Sequence, residues 1–274
     1  MFLAACVQLR CTTEIERNLL KTEELVRRAA RCGAQFVATP ENTSLLGPQF
    51  HKVELAQALD GPIGQRLGAL AAETGVYLLV GSVNELRYGD DGQPDPERCH
   101  NTSLLFGPDG TLIEYYRKIH LFDVDVAGGL SVRESDSICP GTDVKVAETP
   151  LGRIGMSICY DLRFPELYRA HVDAGADLIC VPSAFTLTTG KDHWHALLRA
   201  RAIETQCWVM APAQWGTHDP EGLRKSYGHS LIIDPWGTIV AECSDGEGIC
   251  LAEIDTAYSD RVRSAIPVRE HRKI

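Results

Sequence analysis

Residues 2–42, FLAACVQLRCTTEIERNLLKTEELVRRAARCGAQFVATPEN, decide the fold. An apolar run over 2–9 predicts a strand. The next segment is predicted to be a helix, because its apolar residues share one face: Ile15, Leu19, Thr22, Val26, Ala29 and Ala30. Thr13 to Glu16 has capping-box spacing, and Gly33 is placed where a helix would end. A second apolar run over 35–39 completes a β-α-β unit, which is typical of a parallel sheet.

The rest of the chain continues this alternation and adds hairpins. Strands are predicted near 76–83, 102–106, 112–116, 152–158, 178–182, 208–212, 230–233, 239–243 and 249–254, and helices near 64–74, 166–174 and 193–204. Gly107-Pro108-Asp109-Gly110 is a hairpin signal, so we expect a mixed sheet or a pair of sheets with helices outside. Gly89–Arg98 is predicted to be an exposed excursion and Phe122–Asp143 a long loop, which is uncommon unless functional. Since no linker divides the chain, one domain over 1–274 is expected.

Composition excludes several classes of protein. The chain has 274 residues, of which 44% are hydrophobic and 23% charged, so it is not disordered, collagenous or a coiled coil as a whole. A net charge of −10 argues against a nucleic-acid partner. Ten cysteines without CxxC spacing indicate a reduced, cytoplasmic chain whose thiols are mostly core residues. No leader or membrane span is predicted, and the sequons at Asn42 and Asn101 are interpreted as chance.

Three residues with possible chemistry stand at predicted strand ends. Cys159 follows the strand over 152–158 and precedes a helix, where a nucleophile can be exposed on a tight turn; alone, it would be read as another buried thiol. Glu41 follows the strand over 35–39, at the sheet edge where open α/β sheets place ligands, although a helix cap or a solvated charge is the ordinary reading. Lys118 lies among apolar and aromatic neighbours, where a snorkelling lysine is the alternative.

These residues carry a resemblance to a known family. Pro40-Glu41-Asn42, Arg117-Lys118-Ile119-His120-Leu121 and Cys159-Tyr160-Asp161-Leu162-Arg163-Phe164-Pro165-Glu166 are similar to the three catalytic segments of the nitrilase superfamily of carbon–nitrogen hydrolases. The resemblance runs from about residue 2 to residue 268. It implies a four-layer α-β-β-α sandwich, a triad of Glu41, Lys118 and Cys159, and a second glutamate at Glu134. It also implies a homodimer or larger assembly.

The implied chemistry suits these residue types. An ordinary thiol is only a few per cent thiolate at neutral pH, so a cysteine nucleophile needs a neighbouring base or cation. Glu41 would take the thiol proton as Cys159 attacks an amide carbonyl. Lys118 and the backbone N–H of Tyr160 would then stabilise the oxyanion, leaving a thioester acyl-enzyme. Glu134 would orient Lys118, and the reaction needs no cofactor.

The segments around the triad favour a small 2-oxo-acid amide as substrate. Arg163 is four residues beyond Cys159 and is suited to binding a carboxylate, whereas an ion pair with Glu166 is the structural alternative. Residues 183–190 and His193-Trp194 resemble amidases of 2-oxo-acid amides, in which the positions of Arg163, Phe185 and Thr189 line the substrate pocket; otherwise Phe185 is a core aromatic. Residues 133–135, 199–207 and 226–237 resemble the amidases that hydrolyse deaminated glutathione to 2-oxoglutarate and Cys-Gly, whereas residues 123–126 resemble the ω-amidases of 2-oxoglutaramate at least as well. The resemblance therefore favours deaminated glutathione, with 2-oxoglutaramate as the alternative.

Three other functions are compatible with parts of the sequence. A nitrile hydrolase would use the same triad. A metal site from His193, His195 and scattered cysteines is discounted, because residues i and i+2 of a helix point about 200° apart and no Cys/His cluster completes a ligand set. A non-catalytic interaction protein is disfavoured by the presence of Glu41, Lys118 and Cys159 together. No metal is therefore expected.

Overall fold

The computed structural model describes residues 1–89, 91–126 and 130–273. Its strands are β1 (Phe2–Gln8), β2 (Phe36–Ala38), β3 (Tyr77–Tyr88), β4 (Pro94–Phe106), β5 (Leu112–Arg117), β6 (Asp123–Val126), β7 (Leu130–Arg133), β8 (Lys145–Thr149), β9 (Gly152–Met156), β10 (Leu178–Cys180), β11 (Trp208–Ala211), β12 (Trp215–Thr217), β13 (Lys225–Tyr227), β14 (Leu231–Ile233), β15 (Ile239–Glu242) and β16 (Gly248–Ile254). Its α-helices are α1 (Ile15–Arg31), α2 (Gln49–Glu54), α3 (Pro62–Thr74), α4 (Pro165–Asp173), α5 (Leu187–Thr205), α6 (Thr256–Ala265) and α7 (Val268–His271).

Two mixed six-stranded sheets form the centre of the protein. The first has the order β16-β1-β2-β3-β4-β5 and the second β15-β14-β11-β10-β9-β8. Strands β1, β2 and β3 are parallel, as are β9, β10 and β11, and antiparallel strands flank both sets. The predicted β-α-β unit at the start of the chain is confirmed as β1, α1 and β2.

Alternating side chains divide the core into layers. Along β1, Ala4 and Cys6 pack in the core that includes the second sheet, whereas Ala5 and Val7 pack in the core that includes α1 and α3. This period of two buries the first sheet on both faces. On the outer side of the second sheet, α4 and α5 contribute Leu167, Tyr168, Trp194 and Leu198 to the first of these cores. The expected four-layer α-β-β-α sandwich is therefore confirmed.

Several local predictions are wrong. Helix α1 has no side-chain cap from Thr13, because its first residue follows Glu14 and that residue makes no cap hydrogen bond. The predicted excursion Gly89–Arg98 is largely exposed, as expected, but half of it is regular, since β4 already begins at Pro94 and pairs with Tyr88; position 90 lies outside the described residues. The predicted loop Phe122–Asp143 contains the β6–β7 hairpin and a 3₁₀ turn over Glu134–Asp136, with 127–129 outside the described residues.

The start of helix α5, the burial of the cysteines and the search for membrane spans can also be compared with the sequence predictions. Helix α5 begins at Leu187, six residues before the predicted His193. All ten cysteines are free; eight are buried, Cys159 is partly exposed and Cys32 is exposed at the end of α1, so Cys32 is not a core residue. Within the described ranges, no helix combines the length and apolar character that a membrane span requires.

Candidate active site

Glu41 lies just beyond the carboxyl end of β2, as the sequence predicts, and only 3% of its surface is exposed. Its Oε1 accepts hydrogen bonds from Lys118 Nζ at 3.0 Å and from Asn101 Nδ2 at 2.9 Å. Its Oε2 accepts from the backbone N–H of Ala184 at 2.8 Å. A carboxylate held by three donors has a fixed orientation, which a general base requires.

Lys118 bridges two carboxylates in the interior. It follows β5, and 2% of its surface is exposed. Its Nζ donates to Glu134 Oε2 at 2.8 Å and Oε1 at 3.1 Å, in addition to Glu41. Glu134 begins the 3₁₀ turn after β7, and its Oε2 also accepts from the backbone N–H of Phe122 at 2.7 Å. Both glutamates that the resemblance implied therefore contact the same lysine.

Cys159 occupies a tight turn between β9 and α4. Its φ of 49° lies in the left-handed region, which is uncommon for a residue with a side chain and is typical of a nucleophile elbow. The backbone N–H of Cys159 donates to the carbonyl of Pro182 at 2.9 Å, which ties the turn to the end of β10. The thiol lies close enough to Glu41 and to Lys118 for the charges of both groups to act on the sulfur.

The mutual influence of these groups sets their protonation. Burial raises the pKa of the Cys159 thiol well above its ordinary value, the Glu41 carboxylate raises it further, and Lys118 only partly opposes them. Burial disfavours the charged forms of Glu41 and Lys118, but the Lys118 ammonium outweighs it for Glu41, and the carboxylates of Glu134 and Glu41 outweigh it for Lys118. The pKa of Glu41 is consequently lowered and that of Lys118 is raised well above the ordinary value. The resting site thus holds a neutral thiol beside a carboxylate and an ammonium.

Asn101 joins the two glutamates, and sequence reasoning missed it. Its Nδ2 donates to Glu41 Oε1 at 2.9 Å and lies 3.4 Å from Glu134 Oε1, while its carbonyl accepts from the backbone N–H of Lys118 at 2.9 Å. Its Oδ1 is buried without a hydrogen-bond partner among the described residues. The sequence offers one signal, an asparagine directly before the strand predicted over 102–106. The sequon that begins at this asparagine is interpreted as chance.

Asp161 ties the lysine segment to the nucleophile turn. It is fully buried, and its Oδ2 accepts from Tyr116 Oη at 2.7 Å and from the backbone N–H of Ile158 at 2.8 Å. Its Oδ1 accepts from the backbone N–H of His120 at 3.0 Å and lies 2.7 Å from His120 Nδ1. Because Ile158 precedes Cys159 and His120 is two residues from Lys118, one carboxylate fixes both segments.

The arrangement matches a known family over almost the whole chain. The family model described as carbon-nitrogen hydrolase matches residues 3–264. The chain belongs to the carbon–nitrogen hydrolase family. It is therefore an enzyme of the class that the nitrilase-superfamily resemblance indicated, and this resemblance is confirmed.

Relatives of this carbon–nitrogen hydrolase are similar over nearly the whole of this chain. A protein named deaminated glutathione amidase from Bos taurus is 42% identical over 273 residues, which cover 99% of this chain and 82% of the relative. An omega-amidase from Xenopus tropicalis is 38% identical, with 99% and 95% covered. The crystal structure of the NitFhit protein of C. elegans superposes with a TM-score of 0.90 at 39% identity; it covers 99% of this chain, which spans 65% of NitFhit.

In this carbon–nitrogen hydrolase, Arg163 lies at the end of the 3₁₀ turn that Cys159 begins. Its guanidinium is 5.2 Å from the ring centroid of Phe185 and 5.9 Å from that of Tyr160. Both terminal nitrogens lie 3.3–3.4 Å from His193 Nδ1, which must accept because arginine only donates. Among the described residues no carboxylate forms an ion pair with Arg163, so the alternative pair with Glu166 is absent.

The other predicted pocket residues lie on the same segment. Phe185 is buried against Trp194, with ring centroids 5.1 Å apart, and therefore serves as a core aromatic as well as a support for the arginine. Thr189, in the first turn of α5, forms a 2.8 Å hydrogen bond with the Thr186 hydroxyl. The carbon–nitrogen hydrolase thus has a base and a cation in contact, a nucleophile on which both charges act, and one arginine at the end of the nucleophile turn.

Proposed function

We propose that this carbon–nitrogen hydrolase cleaves the amide bond of deaminated glutathione and releases 2-oxoglutarate and Cys-Gly. The observation that carries the proposal is Arg163, a cation beside the nucleophile turn without an ion-pair partner among the described residues. A guanidinium binds the carboxylate of a 2-oxo acid through two parallel hydrogen bonds. The similarity to amidases named for this substrate supports the same assignment.

In acylation, Glu41 accepts the thiol proton as the sulfur of Cys159 attacks the amide carbonyl carbon. Base and nucleophile act together, because the raised pKa of the free thiol disfavours a preformed thiolate. The ammonium of Lys118 and the backbone N–H of Tyr160 stabilise the oxyanion. Collapse of the tetrahedral intermediate breaks the C–N bond, and the proton on Glu41 passes to the leaving amine of Cys-Gly.

In deacylation, Glu41 deprotonates a water molecule that attacks the thioester carbonyl. The second tetrahedral intermediate breaks the C–S bond, the thiolate recovers the proton, and 2-oxoglutarate leaves. Glu134 acts as the positioning residue for Lys118, since its two oxygens hold the ammonium at 2.8 and 3.1 Å. Phe185 supports the guanidinium of Arg163, and Thr189 lines the pocket.

An ω-amidase acting on 2-oxoglutaramate is the second candidate, because a relative of that name is 38% identical over nearly the whole chain. Both substrates share the 2-oxo-acid end and differ in the amine that leaves. Comparing kcat/KM for the two substrates, with 2-oxoglutarate release as the readout, tests the choice. We expect a higher value for deaminated glutathione, and a higher value for 2-oxoglutaramate would overturn the proposal in favour of ω-amidase.

Replacing Arg163 tests the shared recognition of the 2-oxo acid. Loss of a charge-assisted hydrogen bond costs about 1.5–3 kcal/mol, or about 10- to 150-fold in kcat/KM. Arg163→Gln should lower kcat/KM for both substrates by this factor, whereas Arg169→Gln, on α4, should leave both unchanged. Equal values for the two variants would contradict the assignment of Arg163 to the substrate carboxylate.

We also propose that the chain is a cytoplasmic homodimer or larger homo-oligomer built from one domain, residues 1–274. The exposed side chains of Ile203 and Trp236, which are 49% and 55% accessible, support self-association. Light scattering of the wild type and of Ile203→Glu tests it, with a smaller mass expected for the variant. A monomeric wild type would contradict the assembly.

The cytoplasmic location is supported by the ten free thiols, because disulfides are rare in that compartment. Fluorescent tagging of the protein tests this location.

A further inference from the structure

A second cluster of chemically competent side chains lies outside the candidate active site. His195 is on α5, His229 follows β13, and Glu242 ends β15, so three segments distant in sequence meet. Their ligating atoms lie within 4.8 Å of one another, and about 30% of each side chain is exposed. Neither the triad nor the substrate pocket uses these residues.

The donor atoms converge on one point. His195 Nε2 is 2.9 Å and His229 Nδ1 is 2.7 Å from the same oxygen, Glu242 Oε1. In a tetrahedral zinc site with bonds of about 2.0–2.1 Å, neighbouring donor atoms lie about 3.3 Å apart. On metal binding the two contacts to Glu242 would each lengthen by roughly half an ångström, and the two imidazole nitrogens, which lie within 4.8 Å of each other, would settle at a similar separation.

The rings are held in place by the surrounding structure. Tyr227 stacks on His229, with centroids 4.5 Å apart at 28°, and meets His195 edge to face at 5.9 Å. The indole N–H of Trp194 donates to the carbonyl of His229 at 2.9 Å, and His229 has a left-handed backbone with φ 57°. Ligands fixed before binding lose little conformational freedom when a metal arrives.

A carboxylate also faces the other nitrogen of His229. Asp245 Oδ1 lies 3.8 Å from His229 Nε2, which is beyond hydrogen-bond distance, and its side chain is 79% exposed. Its negative charge favours a cation at this histidine without fixing the ring. The expectation of no metal rests on His193, His195 and scattered cysteines, whereas in the structure His195 meets His229 and Glu242 from other elements.

We propose that His195, His229 and Glu242 form a surface site for one divalent transition-metal ion of the Zn²⁺ type. Two imidazoles and one carboxylate are a recognised three-ligand set for this ion, and water completes the tetrahedron. The ion connects α5 to the segment after β13 and to β15. It therefore acts as a clip on the outer face of the second sheet and takes no part in amide hydrolysis.

The test is a calorimetric titration of tag-free protein with Zn²⁺ near pH 7.5. All titrations use a protein that carries both Cys159→Ala and Cys32→Ser, called the background, because thiolates also bind zinc. We expect one equivalent to bind, and at least about tenfold weaker binding in Glu242→Gln and His195→Gln. His229→Asn is a further variant, since asparagine tolerates a left-handed backbone. His193→Gln, two residues from His195 on α5, is the matched control and should bind like the background.

Two further measurements separate coordination from unfolding and from binding elsewhere. Thermal midpoints in EDTA should be similar for the background and the variants, and Zn²⁺ should raise the midpoint only where the three ligands are intact. Co²⁺ should give the visible absorption of a tetrahedral site in the background but not in Glu242→Gln. Absence of binding in the background, or one equivalent of equal affinity in all variants, would overturn the proposal.

Discussion

Asp161→Asn is the substitution that best tests how the two catalytic segments are joined. The side chain keeps its shape but exchanges one acceptor oxygen for an amino group. Oδ2 of Asp161 accepts a hydrogen bond from the backbone N–H of Ile158, and Oδ1 accepts one from the backbone N–H of His120. Whichever way the amide is turned, one of these N–H groups faces another donor, and neither can change its role.

The magnitude follows from that unpaired donor. Hydrogen bonds to a charged group contribute about 1.5–3 kcal/mol, and a buried donor without a partner costs a similar amount. We expect Asp161→Asn to lose about 3 kcal/mol of unfolding free energy, or about 6–12 °C in Tm for a domain of this size. Tyr116→Phe is the control, because it removes one hydrogen bond to the carboxylate and the acceptor of the Ile119 N–H without setting one donor against another; about 1.5 kcal/mol is expected.

Calorimetry and steady-state kinetics on the same preparations complete the test. The kcat of Asp161→Asn should fall further than that of Tyr116→Phe, because displacement of a catalytic segment by about 1 Å costs roughly 100-fold. If Asp161→Asn melts at the temperature of Tyr116→Phe, or within about 2 °C of the wild type, the argument from the unpaired backbone donor is refuted.

Three other predictions concern the triad itself. Cys159→Ala should abolish turnover and keep the native circular dichroism spectrum; turnover at the wild-type rate would contradict nucleophilic catalysis. Because the pKa of Glu41 is lowered, kcat/KM should fall with decreasing pH only below the ordinary value of 4.5, and a decline that starts near pH 6 would contradict this. Asn101→Leu removes a donor to the ionised form of Glu41, so the acid limb should move to higher pH and kcat should fall about tenfold. Thr102→Val is the control for this variant, because the Thr102 hydroxyl donates to Glu85 and not to Glu41. It should keep the wild-type dependence of kcat/KM on pH.

The sequence predicted the catalytic residues that follow parallel strands better than the residues that hold the catalytic segments together. Glu41 and Cys159 are predicted because an apolar run stops immediately before each of them. Such runs can be recognised in the sequence without knowledge of the tertiary structure. Lys118 was found from its apolar neighbours. Glu134 depended on the family resemblance, because its segment looked like a loop.

Contacts between distant segments were beyond the reach of local patterns. Asn101 reaches Glu41 across 60 positions of sequence, and Asp161 reaches Tyr116 across 45. Residues 94–100 form a strand because they pair with the end of β3, from Glu85 to Tyr88, although their polar composition suggests an exposed excursion. The cluster of His195, His229 and Glu242 likewise exists only once α5 packs beside β13 and β15.

The catalytic groups come from different sheets, since Glu41 and Lys118 follow strands of the first sheet and Cys159 follows a strand of the second. A folding intermediate with only one sheet formed would have a base without a nucleophile, or a nucleophile without a base. Enzymatic turnover is therefore a direct reporter of sheet docking. In a denaturant titration, activity should disappear with or before the loss of inter-sheet packing, even where each sheet retains its own secondary structure.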